Sequence, residues 1–484
     1  MYRKFIIIFS IFINSFSAIS QERMGVCSSI YSGITGEWIN PAFLAGTPYK
    51  WDLNLVTLQT YIDNNYVYLY QTNIPDYIAD NGETKIVVAN VYDADKGKSS
   101  KYMLENKEQN NWYKNIYLNA LLQGPSLMVS FKKWAFAFNI SGRGAFSFTR
   151  LNKDGAKLLY EGLTYEPLQN IDISFRKFRM NAAVWEEFGV SVAREIKKSR
   201  STLIKAGVSI KHLKGLDAAY YLNQDMTLYV PNDSDLYFKN ISAKYGYAYT
   251  DDGFGSSKGN GKSIDMGITI EKKTLQNSYQ CPNFCSKKLG LEYAWKLGIS
   301  LIDIGYLKFK ENAQTYEIND KTNMWYNFTK IKMNGFDGFD STMNSHFGDY
   351  PVPAATGSDF TMMLPWALSV QYDYNIGYNF YINGTWVQRI PHFGLPGIDR
   401  ANIISITPRF DHRRIGIALP IIFYQYLWPR IGLAVRLNNF LFVGTDKIGA
   451  LIGNRLSGTD IYFGLKINVL KKCKKKDNKS FLAF

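Results

Sequence analysis

The amino-acid sequence predicts an all-β fold: a transmembrane antiparallel β-barrel of about 14 strands with an N-terminal plug segment in the lumen. Apolar residues recur at every second position in many segments, as they do in strands with one apolar and one polar face. The chain is rich in residues of strands and turns, with Tyr 34, Phe 31 and Gly 38. After the first 20 residues, no window offers the roughly 18 apolar residues of a membrane-crossing helix. Because apolar residues make up 46% and charged residues 20%, the composition excludes intrinsic disorder.

The first twenty residues have the three parts of a secretory signal peptide. Arg3 and Lys4 form a short positive start, residues 5–13 form an apolar run, and small residues follow up to Ser20. The apolar run is too short to span a bilayer. We therefore expect residues 1–20 to direct export, and a barrel that is exported belongs in the outer membrane.

The alternation is clearest near the C-terminus, where Ile461, Phe463 and Leu465 share one face and Tyr462 and Lys466 share the other. Such segments run about nine to eleven residues, the length of a tilted membrane-crossing strand. We predict that residues 51–470 form the barrel. A soluble β-sandwich also alternates, but it buries its apolar face against a second sheet. Charged residues on the polar faces favour a wet lumen instead: Lys205, Lys211, Glu271, Arg436 and Lys466.

A barrel of this size has an interior too wide for its own strand side chains to fill. Residues 21–50 carry glycine, proline and several apolar residues, and such a segment can pack as irregular backbone where protein surrounds it. We predict that this segment plugs the lumen, and the alternative is a flexible periplasmic arm. The predicted plug and gating residues are Trp38, Asn40, Pro41, Ala42 and Phe43.

Long polar stretches and a basic tail lie outside the alternating segments. Residues 73–123 and 312–359 are predicted to be extracellular loops, since outer-membrane barrels keep their long loops outside. The net charge is +15, and part of it lies in the basic C-terminal tail, residues 471–484. This tail suits solvent or anionic lipid head groups. Binding of nucleic acid is not expected of an exported chain.

Two of the four cysteines lie close together, in the segment Cys281-Pro-Asn-Phe-Cys285. Their spacing is compatible with a local disulfide in an oxidising compartment, and free thiols remain the alternative. A zinc site needs further ligands nearby, and none are evident, so we expect neither a metal nor another cofactor. The sequence contains no nucleophile motif of the Gly-x-Ser-x-Gly type, and we do not expect an enzyme.

Several segments resemble known outer-membrane proteins. The succession of Tyr31-Ser32-Gly33, Asn40-Pro41-Ala42 and a first strand from Trp51 resembles the long-chain fatty-acid transporter superfamily, in which the Asn-Pro-Ala segment belongs to an N-terminal hatch. Most of the chain resembles a narrower outer-membrane barrel family that is labelled only as a domain of unknown function. The matching segments are Gly124-Pro125-Ser126, residues 185–189, 203–213 and 297–309, Leu364-Pro365, and residues 460–470.

The resemblance implies a barrel with an inserted N-terminal segment, and it implies no particular substrate. The leading hypothesis for function is binding or passage of a hydrophobic small molecule through the plugged lumen. The alternative is a non-transporting scaffold in a secretion or surface-assembly complex, because a related branch of the family includes a type IX secretion barrel. The expected partners are outer-membrane lipids, a hydrophobic ligand and, under the alternative, secretion-complex proteins.

Overall fold

The computed structural model describes residues 23–70, 72–79, 87–88, 103–106, 113–250, 256–273, 293–331, 335–347 and 355–471. Fourteen strands follow one another around a barrel, and seven of them consist of two segments separated by an interruption. They are β1 (Tyr49–Asn64), β2 (Lys114–Gln123 and Ser126–Phe131), β3 (Trp134–Leu151), β4 (Asp172–Phe175 and Arg179–Lys198), β5 (Thr202–Tyr229), β6 (Leu236–Ala248 and Gly259–Lys273), β7 (Tyr293–Phe309 and Ala313–Trp325), β8 (Phe360–Met363 and Ala367–Gly377), β9 (Phe380–Arg389), β10 (Ile403–Asp411), β11 (Ile415–Ala418 and Ile421–Tyr424), β12 (Pro429–Ile431 and Leu433–Leu437), β13 (Leu441–Thr445) and β14 (Gly458–Leu470).

Every strand pairs in antiparallel fashion with the next one along the chain, and the last strand pairs with the first. The closing ladder runs from Tyr49 opposite Leu470 to Asp63 opposite Gly458. On its other side β1 pairs with β2, so the sheet has no free edge. The predicted closed barrel of about 14 strands is therefore confirmed.

The direction of the side chains also follows the prediction. On β14, Asp460, Tyr462 and Lys466 are buried inside the barrel, whereas Ile467 and Val469 face outward and are about two-fifths exposed. The same alternation on β3 buries alanines and exposes large aromatic residues. The outer surface of the barrel is consequently apolar over most strands, and the polar face is the inner one.

In the described part of the chain, the connections at one end of the barrel are short, and several of those at the other end are long. The described connections at the first end include residues 132–133, 199–201, 378–379, 412–414 and 438–440. Tyr49, the first residue of β1, and Leu470, the last residue of β14, lie at this end too. The opposite end has the longer ones, such as residues 65–113 and 326–359. In outer-membrane barrels the short turns face the periplasm.

Both predicted long loops include residues that belong to strands. Residues 73–123 include Lys114–Gln123, the first segment of β2, and residues 312–359 include Ala313–Trp325, the second segment of β7. Polar residues are frequent on both segments, which hides the alternation of a strand. Tyr424, the last residue of β11, faces the interior and is 1% exposed.

One wall of the barrel is much taller than the rest. Strand β5 has 28 residues. The first segments of its neighbours β4 and β6, and the second segment of β7, extend with it beyond the length that a membrane needs. Two helices, α3 (Lys153–Glu161) and α4 (Gly335–Phe347), help to fill this extension. Its apolar core includes Leu158, Phe175, Met226, Phe238, Trp325, Met343 and Phe347.

The remaining helices are short. They are α1 (Met24–Cys27), α2 (Ile74–Ala79) and α5 (Gly449–Ile452), with 3-10 turns at Gly33–Trp38, Pro41–Leu44, Glu166–Leu168 and Phe328–Lys330. No helix in the described part of the chain has both the length and the apolar character needed to cross a membrane. The predicted signal peptide, Cys281, Cys285 and the tail after residue 471 lie outside the described residues.

Candidate functional site in the barrel interior

The N-terminal segment, residues 23–48, lies inside the barrel before the chain enters β1. Nearly all of its residues are buried. Its hydrogen bonds reach strands on every side of the lumen, which is possible only for a segment that runs through the interior. The strand partners include Gln123 of β2, Asn139 of β3, Ser209 of β5, Ser300 of β7, Gln371 of β8, Asp411 of β10 and Lys466 of β14.

Asn40 organises the turn at the centre of this segment. Its side-chain oxygen accepts a hydrogen bond from the Ala42 N–H at 3.0 Å and so caps the 3-10 turn Pro41–Leu44. Pro41 occupies the first position of the turn, where its missing N–H is not needed. The Asn40 amide donates to the Gln371 Oε1 at 3.0 Å and lies 3.4 Å from two strand carbonyls. Because Asn40 is completely buried, these bonds satisfy its side chain in place of water.

The turn rests on three glycines of adjacent strands, here named the glycine seat: Gly207 of β5, Gly267 of β6 and Gly298 of β7. Gly207 and Gly267 lie directly opposite each other in the ladder. A Cβ atom added at Gly207 would lie 2.5 Å from the Pro41 carbonyl carbon and 2.7 Å from the Ala42 nitrogen. A Cβ atom at Gly267 would collide with the Asn40 side chain. The Asn-Pro-Ala turn can therefore approach the wall only where the strands carry no side chain.

Glu37 and Trp38 contact the neighbouring part of the wall. The Glu37 carboxylate accepts hydrogen bonds from Asn139 at 2.6 Å, from Ser209 at 2.8 Å and from Ser191. The Trp38 Nε1–H donates to Gln123 Oε1 at 3.1 Å. These bonds join the segment to strands β2, β3, β4 and β5.

The face of the Trp38 ring meets a set of ionised groups, here named the interior ion cluster. Lys211 Nζ lies 5.1 Å and the Arg143 guanidinium 5.7 Å from the ring centroid, within the range of cation–π attraction. Asp303 receives Arg143 Nη1 at 2.8 Å, Arg400 Nη2 at 2.7 Å and Lys211 Nζ at 3.3 Å. The whole cluster has three cations and three carboxylates, and all are buried except Arg143, whose side chain is 10% exposed: Arg143, Lys211, Arg400, Glu187, Asp265 and Asp303.

A second set of ionised groups, the terminal ion cluster, lies near the short-turn end. Arg409 pairs with Asp373 at 2.6 Å, and Arg436 pairs with Asp411 at 2.6 Å. Asp411 also accepts from Ser29 Oγ at 2.8 Å. Lys466 pairs with Asp52 at 2.7 Å and donates to the Ser32 carbonyl. The first half of the N-terminal segment is thus tied to the wall through charged groups.

A family model matches residues 41–446, which include most of the barrel and the whole interior ion cluster. The chain belongs to the family of unknown function DUF5723. No curated protein matches it.

Solved structures of outer-membrane proteins resemble this DUF5723 barrel at low identity. The Pseudomonas putida toluene transporter TodX has 10% identity and a TM-score of 0.41, with 95% of this chain and 99% of that chain covered. A Pseudomonas aeruginosa FadL homologue has 11% identity and a TM-score of 0.19, with 88% and 91% covered. The Escherichia coli protease OmpT has 7% identity and a TM-score of 0.22, with 87% and 98% covered. With TM-scores below 0.5, the function of the DUF5723 chain must be inferred from its own residues.

Burial shifts the pKa of two groups at the start of the N-terminal segment. It lowers the pKa of the Arg23 guanidinium and raises the pKa of the Cys27 thiol. Cys27 points its sulfur at the Thr35 carbonyl at 3.4 Å and is not bonded to another described cysteine. A buried, protonated thiol is a poor nucleophile, so Cys27 acts as a packing residue.

The structure brings together all five residues predicted for the plug, from Trp38 to Phe43. Their role in gating stays a prediction. Sequence reasoning missed the glycine seat and the pairing within both ion clusters. The signal for the seat was present, because Gly207 and Gly267 both stand on the polar face of their strands. The polar faces were expected to line a wet lumen, but Lys205, Lys211, Glu271, Arg436 and Lys466 are at most 7% exposed and are ion-paired.

Proposed function

We propose that this DUF5723 chain is an outer-membrane barrel that binds or passes a hydrophobic small molecule, and that the N-terminal segment closes its lumen. In this proposal residues 1–20 are a signal peptide, residues 21–50 close the lumen, residues 51–470 form the barrel and residues 471–484 form a basic tail. The observation that carries the proposal is the seating of a buried segment across the interior of a closed barrel.

The outer surface supports a location in the membrane. Large apolar side chains that face outward, such as Phe136, Ile210 and Ile268, are 48%, 60% and 43% exposed. A soluble protein rarely exposes so continuous an apolar surface to water, because the exposure is unfavourable. In a membrane the same surface lies against hydrocarbon and this cost does not arise. Trp386 and Trp428 lie outward near the end with long connections, where aromatic side chains suit the boundary between lipid and water.

The interior supports a closed state. The cavity beside the N-terminal segment is lined by Glu37, Trp38, Glu187 and Lys211 among others, and it has room for about one water molecule. An ion or a sugar is much larger than this space once hydrated. Passage of such a solute through this cavity therefore requires the N-terminal segment to move.

A hydrophobic substrate fits the part of the interior that lies farther from the chain termini. Beyond the interior ion cluster, the inward-facing residues of β4, β5 and β7 become apolar: Trp185, Leu213, Leu307 and Phe309 are at most 1% exposed. An apolar molecule gains roughly 25 cal/mol for each Å² of surface that it removes from water in such a place.

The test is replacement of residues 38–43 by an equally long Gly-Ser linker, followed by conductance measurements in planar lipid bilayers. We expect the conductance per inserted barrel to rise, because the replaced residues include Trp38 and the Asn-Pro-Ala turn. The matched control replaces Ile74–Ala79, a described helix of six residues without buried side chains. An unchanged conductance in the first variant would contradict a closing role for the segment. Uptake of a radiolabelled alkane into cells with and without the barrel tests the substrate class.

The scaffold hypothesis is separated from transport by purification from native membranes. A protein partner that stays bound at stoichiometric amounts supports a scaffold, whereas bound apolar small molecules in an otherwise single-chain sample support transport.

A further inference from the structure

The connection between β9 and β10, here named the inner loop, folds into the barrel. It consists of residues 390–402, and Gly397, Ile398, Asp399, Arg400 and Ala401 are all buried. Neither end of this loop lies near the wall that its centre touches. Counted around the barrel, β3 is seven strands from β10 in both directions.

The inner loop nevertheless bonds to that opposite wall. The Asp399 N–H donates to Ser147 Oγ at 3.1 Å, and Thr149 Oγ1 donates to the Asp399 carboxylate at 2.7 Å. Both partners belong to β3. The Gly397 N–H lies 3.4 Å from Asn181 Oδ1 of β4. The loop therefore crosses the lumen, on the side of the ion cluster away from the chain termini.

Ile398, at the centre of this crossing, lies in an apolar chamber walled by six consecutive strands. It is 1% exposed. The chamber has many alanines, and these small side chains leave the room that Ile398 fills. The chamber residues from β3 to β8 and their flanks are Ala145, Ala183, Trp185, Leu213, Ala218, Ala248, Leu307, Phe309, Ala313, Phe360, Met362 and Leu364.

The inner loop is held by individual hydrogen bonds and ion pairs and not by an extended strand ladder, and its outer part is exposed. Phe393 is 86% exposed and Leu395 is 51% exposed. The Ile398 N–H donates to the Met363 carbonyl at 3.0 Å, and Arg400 reaches Asp303 at 2.7 Å. Withdrawal of the loop would break these bonds, the bonds to β3 and β4, and the bonds of His392 to the Leu364 carbonyl and of the Met363 N–H to the Pro396 carbonyl. It would leave the ladder between β9 and β10 intact, since Val387 pairs with Ile403 beyond the loop.

We propose that the apolar chamber is a binding site for uncharged apolar small molecules, and that the inner loop is its outer lid, with Ile398 occupying the site in the closed state. This inference rests on the proposed passage or binding of a hydrophobic molecule. An uncharged ligand is favoured because the chamber walls are apolar and the floor, the interior ion cluster, balances its three cations with three carboxylates. No excess charge remains at the floor to recruit an ionised head group.

The test uses bromobenzene, an apolar probe whose bromine quenches tryptophan fluorescence. Trp185 lines the chamber, and its contribution is the difference between the wild-type protein and Trp185→Phe. We expect saturable quenching of this contribution in the wild-type protein. In Ile398→Ala the probe has no side chain to displace, so its affinity should rise by about tenfold, a change of about 1.4 kcal/mol in binding free energy. In Ile398→Trp the quenching should be lost.

The matched control is Ile302→Ala, which removes an equally buried isoleucine from a different apolar cluster around the N-terminal segment. Its affinity for bromobenzene at Trp185 should stay within about twofold of the wild-type value. Linear quenching of the same slope in all variants would mean simple partition of the probe and would overturn the inference. If Ile398→Trp does not fold, the bromine peak in anomalous diffraction from soaked Ile398→Ala crystals decides: a peak outside the chamber contradicts the site.

The outcomes separate this inference from the proposed function. Saturable binding at Trp185 without alkane uptake keeps the site and refutes transport. Uptake without binding at Trp185 keeps transport and refutes the chamber as the site.

Discussion

The glycine seat gives the sharpest test of how the N-terminal segment is held. Gly207→Ala adds one methyl group at a point where the Pro41 carbonyl carbon lies 2.5 Å away and the Ala42 nitrogen 2.7 Å away. Because both of these are backbone atoms, no side-chain rotation relieves the contact. The turn must lift from the wall, although alanine suits a strand better than glycine by about 0.5–1 kcal/mol.

The magnitude follows from the packing. Overfilling a close-packed interior costs about 1–3 kcal/mol in the seated state. The bond of Asn40 to Gln371 is lost on unseating with or without the added methyl group, so it does not change this difference. A change of 1–3 kcal/mol raises the ratio of unseated to seated segment by about 5- to 150-fold. Single-barrel recordings in planar bilayers should show open events that are correspondingly more frequent than those of the wild-type protein.

Gly142→Ala is the matched control, because a Cβ atom at this glycine meets nothing within 4 Å. It should leave conductance at the wild-type value and raise stability by at most about 1 kcal/mol, the difference between alanine and glycine in a strand. The reasoning is refuted if Gly207→Ala and Gly142→Ala give the same open probability while a crystal structure of the first variant shows a displaced turn.

Three further changes test other parts of the structure. Asp303→Asn leaves buried cations without a full counter-charge and should lower the free energy of unfolding, measured in urea titrations, by about 3–5 kcal/mol. The control Lys239→Gln removes an exposed ion pair and should change this free energy by less than about 0.5 kcal/mol. Burial lowers the pKa of His392 below that of a solvated histidine, about 6.5, so a released inner loop binds protons more readily than the seated one. Hydrogen exchange of the loop, corrected for intrinsic rates, should therefore accelerate as pH falls below about 6.5 and stay constant above it, and His392→Asn should abolish this dependence. Ile268→Arg places a charge on the outward face and should weaken folding into lipid vesicles by about 2–4 kcal/mol if it lies near the bilayer centre, whereas Ile78→Arg on an exposed helix should not.

The barrel could be predicted from the sequence because its outward face has a single requirement, which is contact with hydrocarbon. Every outward residue on β14, from Ile461 to Val469, meets that requirement independently of all others. Period-two alternation therefore appears in each strand alone. The taller parts of β6 and β7 do not face a uniform environment, because water covers some of their residues and helix α4 covers others. Their sequences therefore lack a clear period-two alternation, and the prediction of a loop over 312–359 is wrong for Ala313–Trp325.

The inner face could be predicted only in part, because each of its charged residues needs a partner from another part of the chain. Asp303 is a single polar residue in the sequence, and its three cationic partners come from β3, β5 and the inner loop. Strand register decides which of these meet, and register depends on all the turns together. The Asn-Pro-Ala turn was found because it is a contiguous motif, whereas its seat is divided among three strands. The inner loop left no pattern at all, since only Ile398 and its neighbours turn inward.

The division of charge along the N-terminal segment bears on how the lumen can open. Its first half is held by the hydrogen bond of Ser29 to Asp411 and by that of Lys466 to the Ser32 carbonyl, and a hydrogen bond to a charged group contributes about 1.5–3 kcal/mol. The Asn-Pro-Ala turn in its second half is held by neutral hydrogen bonds and close packing, each bond worth about 1 kcal/mol. Lifting of this turn alone is therefore the less costly path. It follows that substitutions at the glycine seat should open the lumen without releasing Ser29 from Asp411, so that cross-linking or exchange at residues 24–35 stays at its wild-type level in Gly207→Ala. If residues 24–35 are released first, the hydrogen bonds to Asp411 and Lys466 are weaker than their burial indicates, and the segment leaves the barrel as one piece.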